Sequence, residues 1–214
     1  MRLSRELVRA RTEFDRGELR LEARLKLRAR ELEIEGRLAR AAYFLQSAVL
    51  PGELAVFDSV ERCLCYEHEI DDLQGAEAWI ERVRALPAHF AQVGENLRMA
   101  SASGVWPARP ALTAALLASA EEWMARLIAH FEAALARLLN IDSAQKDQLL
   151  AHARDAMAAT ALPARRELER ILSELAARAL DDCGLGRLPQ GESFYAELLR
   201  QASSTKLEVS ELHG

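Results

Sequence analysis

The chain has 214 residues, of which 50% are hydrophobic and 29% charged, and its 28 basic against 33 acidic side chains leave a net charge of −5. That balance argues against a nucleic-acid binder, because such binding rests on Lys and Arg neutralising phosphates. The length suffices for a hydrophobic core without staples, three Cys do not make a disulfide framework, and 10 Gly and 6 Pro are too few for a strand-and-turn architecture or a disordered linker.

Ala, Leu, Arg and Glu dominate, and they are good helix formers. Arg2 to Leu7 carries charge where a signal peptide needs an apolar run of about 7–15 residues. No stretch reaches about 18 uncharged apolar residues, so no membrane span is expected. As given, the sequence therefore reads as cytoplasmic.

Residues 3–12 can form a short first helix, broken at Asp15-Arg16-Gly17. The next helix is expected from Glu18 to Ala48, with an apolar stripe at Leu21, Leu25, Ala29, Leu32, Gly36, Ala39 and Tyr43. Leu27, Ile34, Leu38 and Leu45 widen the stripe. Residues 1–40 hold twelve basic and eight acidic side chains, which a solvated helix face explains more simply than an anion or membrane patch. Pro51 is placed to open a helix that runs to Tyr66. Ala76 to Leu86 follows, with Ala76, Trp79, Ile80, Val83 and Leu86 on one face, and Pro87 ends it or opens a successor that runs to Ser101. Val105 to Pro110 reads as an extended turn by its two prolines.

The clearest periodicity runs from Ala111 to Leu139 as one long helix, through Leu112, Leu116, Ala120, Trp123, Leu127, Phe131, Leu135 and Leu138. Asp142 with Gln145 is close to a capping box and starts a helix to Ala161. Pro163 opens another, with Leu168, Ile171, Leu172, Leu175 and Ala179 apolar. A glycine-rich loop spans Asp181 to Gly191, and a short helix covers Glu192 to Gln201. The expectation is an all-α, multi-helix, bundle-like array of about eight helices joined by short turns, forming a single helical domain over 1–214.

Few residue groups invite chemistry. Cys63, Cys65, His68 and Asp72 suggest a metal, but zinc sites place two to four residues between paired thiolates. Here one residue intervenes, and on a helix the two thiols point about 200° apart. His68-Glu69-Ile70-Asp71-Asp72 is only superficially like H-E-x-x-H, since Asp72 stands where the second His belongs. His89, His130 and His152 are not at ligand spacing from one another. Cys183 sits in a loop without an identifiable partner for nucleophilic catalysis. Gly184-Leu185-Gly186 follows a helix and cannot serve as a dinucleotide turn. No catalytic residue and no metal ligand emerges from this chain.

Two stretches resemble a known family. The first is Gly75-Ala76-Glu77-Ala78-Trp79-Ile80-Glu81-Arg82-Val83-Arg84-Ala85-Leu86-Pro87, continuing to Gly104-Val105-Trp106-Pro107-Ala108-Arg109-Pro110. The second is Gly184-Leu185-Gly186-Arg187-Leu188-Pro189-Gln190-Gly191-Glu192-Ser193-Phe194-Tyr195, followed by Leu198-Leu199-Arg200 and Ser203-Ser204-Thr205-Lys206-Leu207. In order and rough distance they resemble the amino-terminal half of the bacterial domain of unknown function 885 family. The resemblance implies a mostly helical fold similar to zinc-dependent peptidases. It also implies a metal site made of a His-Glu pair followed by Pro-Gly-His, far downstream of a threonine-rich segment.

On this resemblance the chain is the cleft-wall front of a peptidase-like hydrolase, ended before its metal motif. Zinc is expected only in full-length relatives, and no cofactor in this chain. Tyr195, Thr205 and His213 are the positions expected to face a substrate cleft in an intact relative, where a peptide or small molecule would bind. Packing of an amphipathic helix is the simpler reading of Tyr195. Departures cluster at the carboxy end, where Ala202 replaces the family's His, Ser203 and Ser204 replace threonines, and Lys206 replaces Asp. The alternatives are a helical module that binds a partner or itself through an exposed apolar face, and a module that binds a small ligand between helices.

Overall fold

The structure, a computed structural model, describes residues 20–203. These residues form helices, joined by turns and by one isolated parallel bridge between Ala108 and Leu180. The fold is all-α, as the periodicity requires. The α-helices are α1 (Leu21–Ala41), α2 (Phe44–Ala48), α3 (Pro51–Leu54), α4 (Val56–Arg62), α5 (Leu73–Ala102), α6 (Arg109–Ala115), α7 (Ala120–Arg137), α8 (Ser143–Ala156), α9 (Leu162–Ala176) and α10 (Gly191–Ser203). Wider π-helical turns occupy Cys63–Glu67 and Met157–Ala161, and a 3₁₀ turn occupies Leu185–Arg187. The expected first helix at 3–12 lies outside the described residues. No described helix is long and apolar enough to cross a membrane.

The chain divides into two compact units, Met1–Ser47 with Gly184–Gly214, and Ala48–Cys183. In the first, α10 packs on α1 and on the chain that follows α1. Phe194, fully buried, stacks on Tyr43 with ring centroids 5.3 Å apart. The Gln46 side-chain amide donates to the Pro189 carbonyl at 3.0 Å, and Gln201 donates to the Gly36 carbonyl at 3.1 Å. Gly191 opens α10 so close to the Leu185 carbonyl that any Cβ would strike it. This explains one glycine of the Gly184–Gly191 segment by geometry alone.

The first part of α1 departs from the expected stripe. Leu21 and Leu25 are 65% and 62% exposed, whereas Glu31, Ile34 and Gly36 are buried. Glu22 with Lys26 and Glu33 with Arg37, each four residues apart on α1, pair at 2.6 and 3.8 Å. Both are exposed, so each contributes only a few tenths of a kcal/mol.

The second unit is organised around aromatic rings. Trp79 of α5 stacks on Phe131 of α7 at 4.4 Å between centroids, and its indole N–H donates to the Leu64 carbonyl at 3.1 Å. Phe57, Phe90 and Trp123 meet in tilted and edge-on contacts. The apolar faces predicted for α5 and α9 are the buried ones.

The sequence reading puts a helix boundary at Pro87, yet α5 runs through it as one helix. A proline inside a helix costs about 3 kcal/mol. Val83, Leu86 and Phe90, on either side of it, are all buried, and each buried large apolar side chain contributes about 1.5–3 kcal/mol. Packing therefore outweighs the lost hydrogen bond.

The reverse happens between 111 and 139, where one helix is expected and two are found. Ser119 accepts from the Glu122 backbone N–H at 3.2 Å, and the Glu122 carboxylate accepts from the Ser119 N–H at 3.1 Å. That reciprocal cap starts α7 afresh. The expected capping box at Asp142 and Gln145 is present and starts α8. Where a helix was expected to stop near Ala161, the π turn carries α8 into α9.

Candidate functional site

The residues that suggested a metal do other work. Asp72 caps α5, its Oδ1 accepting from the Gly75 N–H at 2.7 Å. His68 Nε2 lies 2.8 Å from the Gly75 carbonyl oxygen, which only accepts, so that nitrogen carries the proton. The two side chains thus hold both polar groups of one peptide residue. Cys63 and Cys65 ride on the π turn, and Arg82 donates to the Cys63 sulfur at 3.9 Å. Among the described residues no three His, Cys, Asp or Glu side chains gather to hold a metal ion.

Burial pushes the Cys65 thiol up to about 11, the Glu61 carboxylate adds to the rise, and Arg126 opposes it. Cys65 is therefore protonated at neutral pH and no nucleophile. His89 and His152 are exposed. His130 sits beside Tyr66, with ring centroids 6.3 Å apart, and burial followed by the nearby Arg137 holds its pKa below the usual histidine value. Cys183 is exposed in its loop.

The most concentrated polar chemistry lies at a residue that sequence reasoning passed over. Arg165 of α9 is only 1% exposed. Its guanidinium carbon lies 4.0 Å from the centroid of Phe57 and 4.8 Å from that of Trp123. Nε donates to Glu169 at 2.8 Å, and Nη2 donates to the Ala118 carbonyl at 2.6 Å, in the break between α6 and α7. Nη1 is buried with no hydrogen-bond partner, so the ring faces are its surroundings.

Burial lowers the Arg165 pKa, and Glu169 works against that shift. Arginine's basicity is high enough for the cation to survive such a shift. Close by in sequence to Cys65, Glu61 takes a two-pronged pair from Arg126, at 3.0 and 2.8 Å. This pair raises the Arg126 pKa. The arrangement is a closed, charge-balanced centre that fixes helices; it presents no nucleophile and no proton donor near neutrality. A signal for it exists in the sequence: Arg165 is three residues before Leu168 and seven before Leu172, on the buried face of α9.

Arg109, the first residue of α6, has an equally definite role. Its guanidinium donates to Asp181 Oδ1 at 2.7 Å, to the Ala176 carbonyl at 2.8 Å and to the Ala179 carbonyl at 2.7 Å. Its backbone N–H donates to the Leu180 carbonyl at 2.8 Å. One side chain thus satisfies carbonyls that the carboxy end of α9 leaves open, and its charge suits the negative end of the helix dipole.

The sequence profile of the family described as "bacterial protein of unknown function (DUF885)" matches residues 1–214. The chain belongs to this family. No curated protein matches it. Among solved structures the DUF885 chain is similar to one described as "the putative lipoprotein from Colwellia psychrerythraea", with 19% identity and a TM-score of 0.65. The likeness covers 72% of this chain and 27% of that one, so the DUF885 chain spans little more than a quarter of the matched protein's length. At such identity the likeness is one of fold.

Of the three cleft positions implied by the family resemblance, Thr205 and His213 lie outside the described residues. Tyr195 is half-buried on α10, next to the Phe194 that stacks on Tyr43. The described residues therefore bring no two of the three together.

Proposed function

We propose that this DUF885 chain is the amino-terminal, cleft-wall part of a peptidase-like hydrolase, and that it does not hydrolyse peptides by itself. The observation that carries the reading is the family match over residues 1–214, and the likeness of most of the chain to 27% of a much longer protein supports its being one part of a larger whole. The order of the family motifs, from Gly75 to Leu207, supports the same placement. A water-activating zinc needs about three protein ligands and an open position. The tripeptide Pro-Gly-His, which the resemblance assigns to that site, occurs nowhere in this sequence. In this reading Tyr195, Thr205 and His213 line the substrate side, and a peptide or small molecule is the ligand of the complete enzyme.

The test is direct. The purified chain, supplied with zinc, is incubated with a mixed peptide pool, and products are read by mass spectrometry. No cleavage above background is expected. Cleavage that disappears with a chelator overturns the reading.

A second reading is a helical module that binds a protein partner or a second copy. It draws on the exposure of Tyr66, Leu117 and Leu139, which are 79%, 80% and 94% accessible in the second unit. Single exposed apolar side chains are common on monomers, so the decisive measurement is the mass in solution. A monomer at all concentrations, with no partner bound, removes this reading.

A further inference from the structure

We draw no further inference here: the strongest candidate, the largely apolar cleft of about 360 Å³ where Arg82 of α5 faces Cys63 on the π turn, rests on a single cysteine with no second observation pointing to a ligand.

Discussion

Arg165 ties α9 to two aromatic rings and to the break between α6 and α7. Its cation lies over two aromatic rings, each such contact worth up to about 2 kcal/mol when desolvated. It also makes hydrogen bonds to Glu169 and to a backbone carbonyl. Truncation to alanine leaves a void among Phe57 and Trp123 and frees the Ala118 carbonyl. Breaking a buried pair costs about 3–5 kcal/mol. The low end applies, because Glu169 keeps 23% exposure and can turn to water. We expect Arg165→Ala to lose about 3 kcal/mol in urea unfolding and Arg165→Met to lose less, since Met refills the volume. Equal stability of Arg165→Ala and the parent would refute this account.

Cys65 gives a second test at the same scale. Its thiol is raised from 9.0 to about 11 in the folded chain. Between those values the unfolded chain has released a proton that the folded chain still holds. The contribution is therefore fully present below pH 9 and is lost as pH rises through 11. Cys65→Ser should flatten the alkaline slope of stability, measured by unfolding at pH 8, 9, 10 and 11.

Among the elements, the sequence was most legible where periodicity and caps agreed. The buried face of α5 and the Asp142 cap follow from spacing and residue type alone. The split between α6 and α7 was not legible from periodicity, because Leu112, Leu116, Ala120 and Trp123 keep helical spacing straight across it. What breaks the helix is local hydrogen bonding at Ser119 together with a distant side chain, Arg165, that takes the Ala118 carbonyl. The first contribution could have been read from Ser-x-x-Glu; the second could not.

Pro87 failed as a boundary for the opposite reason, since buried neighbours on both sides hold α5 together. The cap is testable. Ser119→Ala should cost about 1 kcal/mol and speed amide exchange over the first turn of α7. The Ser119 backbone N–H, then its hydroxyl, hold the Glu122 carboxyl below the usual carboxylate range. Its share of the cap is thus present above the ordinary carboxylate pKa and is lost as pH falls through the depressed one. An unchanged exchange rate in Ser119→Ala would show that Arg165 alone sets the break.

Taken whole, the molecule is two units joined where the chain leaves Cys183 and where it leaves Ser47. Asp181 to Gly184 is exposed, and exposed connections are where proteases nick first. Limited digestion with a protease that cuts after acidic residues should release a cut at Asp181 or Asp182 before any inside α5, as read by intact mass. Early cuts within α5 would contradict the packing described for that helix. The candidate cleft was the least legible feature at this scale. Two of its three implied positions, Thr205 and His213, fall outside the described residues, and Tyr195 has an ordinary packing environment beside Phe194.

The division of the chain also bears on its biosynthesis. Ala48–Cys183 is one uninterrupted stretch, whereas the other unit is assembled from segments on either side of it. Domains tend to form as units while the ribosome is still adding residues. The inserted stretch can condense as soon as Cys183 clears the exit tunnel, but α1 must wait for α10. Until then Gly36 lacks the Gln201 side chain that bonds its carbonyl, so α1, the first-made of the described helices, is among the last to be secured.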